Sequence, residues 1–79
     1  MVVVYALKNK VNNEVYVGIT SCLDRRLAEH NNGKNRYTKA FLPWEVFYTE
    51  ELPDYTTARR REIYLKSASG KRFLKKVGI

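Results

Sequence analysis

Two phenols, a guanidinium, an imidazole and a carboxylate stand at spacings that let them meet: Tyr5, Tyr16, Arg26, His30 and Glu62. Taken singly, each has an ordinary explanation. A strand tyrosine is a core aromatic, and Arg26 can pair with Asp24 or Glu29. Glu62 has Lys66 four residues on, a pair worth only ~0.3–0.5 kcal/mol. A histidine near a helix C-terminus is favoured there by the helix dipole. Together, beside a basic surface, they suit work on a phosphodiester. The carboxylate can hold a divalent cation, and cation and guanidinium can stabilise charge on a pentavalent phosphorus. A tyrosine whose pKa is lowered by the metal or by Arg26 can take a proton from an attacking water.

The elements that must position these groups follow from the pattern. Val3-Val4-Tyr5 and Tyr16-Val17-Gly18, separated by Asn/Lys-rich residues with a polar turn around Asn12-Asn13, read as a hairpin. With a two-residue loop, paired numbers sum to an odd value. Tyr5 and Tyr16 then share a sheet face with Gly18 beside them. A bare glycine there is expected to leave an opening for a ligand or another backbone. Val2 to Lys8 is apolar on both faces, so it should be a central strand with cover on each side. Glu14 to Ile19 returns antiparallel to it.

Ser21 is the expected N-cap of a first helix, with Asp24 in the manner of a capping box, and Gly33 is its stop. At ~100° per residue, Leu23, Leu27 and His30 form one stripe. Arg26 lies at its edge, aimed at the sheet, and Arg25 points nearly opposite. Gly33 to Phe41 reads as a basic loop or short irregular helix. Trp44 to Glu50 reads as a third strand, with Trp44, Val46 and Tyr48 on one face and Glu45, Phe47 and Thr49 on the other. Asp54 or Thr56 can cap a second helix whose inner stripe is Ala58 and Leu65. Glu62 sits within ~40° of Ala58 and borders that buried face. Lys71 to Lys76 is predicted as a short last helix, packing Phe73, Leu74 and Val77. The order β-β-α-β-α, with that short helix, is an α+β architecture, read as one domain over residues 1–79 with no internal repeat or linker.

Composition narrows the class. One cysteine and one histidine exclude an internal disulfide and a Cys/His zinc site. The apolar run at the N-terminus is too short for a signal peptide, and nothing approaches the ~20 apolar residues of a membrane span. A cytoplasmic location is expected. Fifteen Lys/Arg against eight Asp/Glu give +7 in 79 residues, which points to a polyanion, most simply nucleic acid. A membrane surface fits less well, because the basic residues do not gather on one amphipathic helix.

The succession Val3-Val4-Tyr5, ten residues, Tyr16-Val17-Gly18, Leu23-Asp24-Arg25-Arg26-Leu27-Ala28-Glu29-His30, and later Ala58-Arg59-Arg60-Arg61-Glu62 resembles the GIY-YIG endonuclease domain. The likeness is greatest to its small stand-alone bacterial members and runs from Val2 to Lys76. It implies a three-stranded antiparallel sheet flanked by helices. It also implies motif tyrosines at Tyr5 and Tyr16, the motif glycine at Gly18, the catalytic arginine at Arg26, an assisting histidine at His30, a further tyrosine at Tyr37 and the metal ligand at Glu62. A single Mg2+ or Mn2+ is the implied cofactor, and a tyrosine the implied general base. Val3 stands where the first motif has glycine, and Val17 is a conservative change in the second.

The expectation is a metal-dependent endonuclease acting on DNA, with Lys34, Arg36, Lys39, Arg59 and Arg60 touching the backbone without reading sequence. Branched, damaged or single-stranded DNA are open as substrates, and repair, recombination or a mobile element as the setting. One site cuts one strand, so double-strand cleavage calls for a dimer, two successive events or a partner carrying specificity. A non-catalytic nucleic-acid-binding module on the same scaffold is the alternative. A protein-interaction domain is a third, and it would bind polyanions with little salt dependence.

Overall fold

β1 (Val2–Asn9) runs down the middle of a three-stranded antiparallel sheet, flanked by β2 (Val15–Thr20) and β3 (Trp44–Leu52) in the order β2-β1-β3. The computed structural model describes residues 1–9, 14–33 and 43–78. Its remaining elements are α1 (Leu23–Asn31), α2 (Tyr55–Lys66) and α3 (Ala68–Val77). The two-faced strand is covered on both sides, as its composition requires. Val2, Val4 and Ala6 pack with Ala58, Leu65 and Leu74 of α2 and α3. Tyr5 and Leu7 pack with Trp44 and with Leu23 and Leu27 of α1.

The hairpin closes through the Asn9 N–H donating to the Glu14 carbonyl at 2.9 Å, four residues separating the two. The expected turn at Asn12-Asn13 lies outside the described residues. A four-residue loop keeps the same parity as a two-residue one: Tyr5 pairs with Gly18 and Leu7 with Tyr16. Both tyrosines therefore share the α1 face.

β3 departs from simple alternation. Ala6 pairs with Tyr48 but Leu7 pairs with Val46, a β-bulge that leaves Phe47 as the extra residue. Trp44 and Val46 face α1, whereas Phe47 and Tyr48 both belong to the core under α2 and α3. The single alternating face expected for Trp44, Val46 and Tyr48 is thus split by one inserted residue.

The caps also differ from the sequence reading. Cys22, not Ser21, is the N-cap of α1, and no side chain caps it. The Thr20 hydroxyl instead accepts the Cys22 N–H at 3.1 Å, holding the strand-to-helix turn. The helix ends before Gly33, whose φ is 77°. Asp54 caps α2 by accepting the Thr57 N–H at 2.8 Å. The last helix begins earlier than expected because Ser67 serves twice: its own N–H closes α2 onto the Tyr64 carbonyl, and its hydroxyl accepts the Gly70 N–H at 3.2 Å. Val77, expected to pack, is exposed. Arg61 fastens α2 to β3 and α3, donating to Glu50 at 3.0 Å with its guanidinium 5.0 Å from the Tyr64 ring and 5.6 Å from the Phe73 ring.

Gly70 sits where α3 leaves α2, and a Cβ there would run into the Tyr64 carbonyl oxygen and the Leu65 backbone. Backbone cannot swing aside as a side chain can. Gly70→Ala is expected to lower stability by about 1–3 kcal/mol through overpacking. A fall in the urea midpoint with unchanged slope would show it, and an unchanged midpoint would contradict this packing.

Candidate active site

The α1 face of the sheet gathers four of the singled-out residues. Tyr5 is 1% exposed and His30 fully buried, and the Tyr5 hydroxyl lies 3.0 Å from His30 Nε2. Tyr16, half-buried, meets the His30 ring edge-on with centroids 4.9 Å apart, and its centroid is 6.4 Å from that of Tyr5. Arg26, on the same helix one turn before His30, is about one-third exposed and donates to Glu29 at 3.2 Å. Arg25 is exposed, so the two arginines divide as the helical spacing predicts.

Gly18 takes part differently from expectation. The space over it is not open: a Cβ there would lie 2.5 Å from the Tyr5 hydroxyl and 3.1 Å from the Tyr16 ring. The missing side chain makes room for the Tyr5 phenol, which crosses it to reach His30. The glycine accommodates a side chain of the protein itself.

Electrostatics follow from this burial. Burial pushes the Tyr5 pKa up, and although the Arg26 guanidinium pulls it down, the net shift is upward; the nearby Tyr16 and Glu62 add to the rise. At Tyr5, then, desolvation outweighs the acidifying pull of Arg26. His30 is pushed down to about 4, first by burial and then by the Arg26 charge. It is a neutral imidazole at neutral pH. The Arg26 pKa is raised: burial opposes its charge, and hydrogen bonding with Tyr5, Glu29 and Tyr16 outweighs that opposition.

Glu62 comes from α2. It is 6% exposed, and both oxygens are engaged: Arg59 donates to one at 3.1 Å and Lys66 to the other at 3.2 Å. Its negative charge is the least of the influences on the Tyr5 phenol, and the helix that carries it packs on the other side of the sheet. Among the described residues no cluster of three His, Cys, Asp or Glu side chains can cage a metal. One carboxylate is nonetheless a fitting donor set for magnesium, which keeps most of its waters and takes its remaining ligands from substrate phosphate.

Arg59 stands beside Glu62, while Arg60, two positions before it, lies roughly 160° around the helix. Lys34, Arg36, Tyr37 and Lys39 lie outside the described residues. Two contributors had no signal in the spacing. The Asn31 side chain donates to the Trp44 carbonyl at 3.1 Å and accepts the Trp44 N–H at 2.9 Å, tying the end of α1 to the start of β3. Trp44 in turn walls the cluster, its ring 6.4 Å from that of Tyr16. An asparagine at a helix end reads as a cap, and nothing local marks a partner thirteen residues away.

Comparison with known proteins gives the family and the fold. A family model described as the GIY-YIG catalytic domain matches residues 1–76. The chain is 37% identical over 75 residues to a UPF0213 protein of Staphylococcus haemolyticus, covering 94% of this chain and 90% of that protein. It is 39% identical over 57 residues to a UPF0213 protein of Bacillus cereus, covering 71% of this chain and 59% of the relative. The solution NMR structure of a UPF0213 protein from Bacillus halodurans superposes with a TM-score of 0.58 at 32% identity, over 98% of this chain and 85% of that one.

The buried imidazole makes stability depend on pH. Unfolded, His30 takes up a proton near its ordinary 6.5; folded, only near 4. Its contribution is therefore complete above pH 6.5 and is lost as pH falls, by about 2 kcal/mol at pH 5. Urea midpoints should drop between pH 6.5 and 5, and His30→Gln should remove most of that slope. Equal slopes in the two proteins would mean that His30 is not held neutral.

Proposed function

This chain belongs to the GIY-YIG catalytic domain family, a family of nucleases, and from that premise we propose that it is a divalent-metal-dependent endonuclease hydrolysing DNA phosphodiester bonds. The observation that carries the reading is the convergence of Tyr5, Tyr16, Arg26 and His30 on one face of the sheet. In this reading Glu62 holds Mg2+ or Mn2+. A cation held there would supply Lewis-acid polarisation of a phosphodiester.

The side chains have separable tasks. Arg26 keeps its charge and has exposed area, so it can bind a non-bridging phosphate oxygen and stabilise the charge that grows there. Tyr5 is sealed from solvent and its phenol stays protonated. Its task is to hold His30 and Arg26 in place, with His30 Nε2 as acceptor in the Nδ1–H tautomer. Tyr16 is the phenol with surface to meet a water and accept its proton, facing the same guanidinium. Arg59 and Lys66 neutralise Glu62 until substrate arrives, and Arg59 can then turn to the DNA backbone. Tyr37, Lys34, Arg36, Lys39 and Arg60 are proposed as further contacts to the substrate. Cleavage of both strands would require a dimer, two events or a partner.

The alternative is a nucleic-acid-binding module. The observation in its favour is that Glu62 already has two cationic partners, as a structural carboxylate would. Nicking of supercoiled plasmid separates the two. With Mg2+ or Mn2+ the wild type should nick. Glu62→Gln and Arg26→Ala should lose on the order of 10²–10³ in rate while DNA binding persists. Binding without cleavage across both metals and branched substrates would replace the enzyme reading with the binding one.

A further inference from the structure

On the side of the sheet away from Tyr5, a cleft of about 850 Å3 opens between the ends of β1 and β2 and the α2–α3 pair. Lys8, Lys66, Lys71 and Lys75 line it, against a single acid, Glu14. Among the described residues Lys8, Lys71 and Lys75 carry no ion pair, and Lys66 is the one that holds Glu62. The floor is apolar: Val17, Phe47, Leu65 and Leu74. Phe47 follows the alternation of Trp44 and Val46 onto this side, and the β3 bulge brings Tyr48 to the same side beside it.

Four lysines around an apolar, aromatic-bearing floor make a particular combination. The lysines fit a chain of phosphates. The apolar surface is of no use to a duplex, whose base faces are stacked inside it, whereas an unpaired strand can lay its bases on the partly exposed Phe47 and on Val15, over the buried Val17, Leu65 and Leu74. We infer that this cleft binds an unpaired nucleic-acid strand, with Lys8, Lys71 and Lys75 on its phosphates and its bases against the floor. Lys66 stands at the junction, one side on the cleft and its ammonium on Glu62, so a strand lying here leads towards the candidate metal carboxylate. Resting on the endonuclease reading, this names the substrate class as DNA with a single-stranded segment, such as a flap or overhang beside the cut. Of the Tyr5–His30 cluster only Tyr16 borders the cleft, and binding in it does not depend on turnover.

The test is fluorescence anisotropy of labelled oligothymidylate and of a hairpin duplex with the same number of nucleotides, in EDTA, across a salt series. The wild type should prefer the oligothymidylate. Lys71→Ala/Lys75→Ala, at two exposed positions, should weaken oligothymidylate binding by about tenfold and reduce its log–log salt slope by about 1.4, at ~0.7 per phosphate contact. Duplex binding should be unchanged, and circular dichroism should be that of the wild type. Phe47→Leu, which keeps the core apolar, should weaken only the oligothymidylate. Equal losses on both ligands, no loss on either, or binding of anionic vesicles in place of oligothymidylate would overturn the assignment. Plasmid nicking run in parallel keeps the two readings apart. Nicking with lysine-independent oligothymidylate binding removes the cleft and leaves the nuclease. Lysine-dependent binding by a protein that never nicks does the reverse.

Discussion

The Tyr5 phenol occupies the volume a side chain at Gly18 would need, and from there it meets His30. That one overlap joins the central strand to its edge strand and to α1. It also determines the chemistry of the face. A residue packed this tightly loses the solvation a phenolate requires, so Tyr5 is made less acidic, and the imidazole it touches is held neutral by the same dry surroundings. Arg26 works against the first effect and adds to the second. The cluster is therefore built around the Arg26 guanidinium, with Glu29 as its ion-pair partner and a protonated Tyr5 and neutral His30 locked beside it. Such a site has little to reorganise when an anionic phosphate arrives.

Charge on the other helical layer is arranged on the opposite principle. Glu62 is a nearly buried carboxylate whose two oxygens are each held by a cation that is itself largely exposed. Exposed ends of long side chains are screened and entropically expensive to hold, so these pairs are weak relative to the cost of stranding the carboxylate. They can be exchanged. In the proposed reading a divalent cation and a phosphate backbone would present charges of the right sign to both partners, Glu62 turning to the metal and Arg59 and Lys66 to the DNA. The excess of seven positive charges makes that exchange easier, since no shortage of cations arises when a polyanion docks.

Much of this was legible in the chain because it depends on period and parity. The apolar faces of Val2 to Lys8 place β1 in the centre. Tyr5 and Tyr16 share a face for any even-numbered loop, so the unexpected length of residues 10–13 did no harm. The division between Arg25 and Arg26 and the near-burial of Glu62 follow from 3.6 residues per turn. What was illegible depends on single insertions and on side chains competing for one backbone group. Nothing in Trp44-Glu45-Val46-Phe47-Tyr48 announces a bulge, because aromatic and β-branched residues suit either face. Ser21 is a better cap by type than Cys22, yet Thr20 captures the Cys22 N–H and moves the helix start by one. The supposed opening at Gly18 failed for a tertiary reason: only the folded path of Tyr5 shows which group takes the space.

β2 shows why the register has to be held so firmly. Its alternate residues serve two layers, with Tyr16 and Gly18 on the α1 side, Val17 in the core under α2 and α3, and Val15 exposed on that same side. A slip by one residue would exchange them. Valine would then face His30, a phenol would be driven into the aliphatic core, and the Tyr5 ring would meet a side chain where it now meets none. Every alternative pairing therefore costs core packing on one side and a buried polar partner on the other. In a small sheet with β2 at its edge, and so paired on one side only, that double penalty does what a second neighbouring strand would otherwise do. The residues read as catalytic thus also specify the fold: the Tyr5–Gly18 overlap that positions the cluster is the same contact that makes the hairpin register unique.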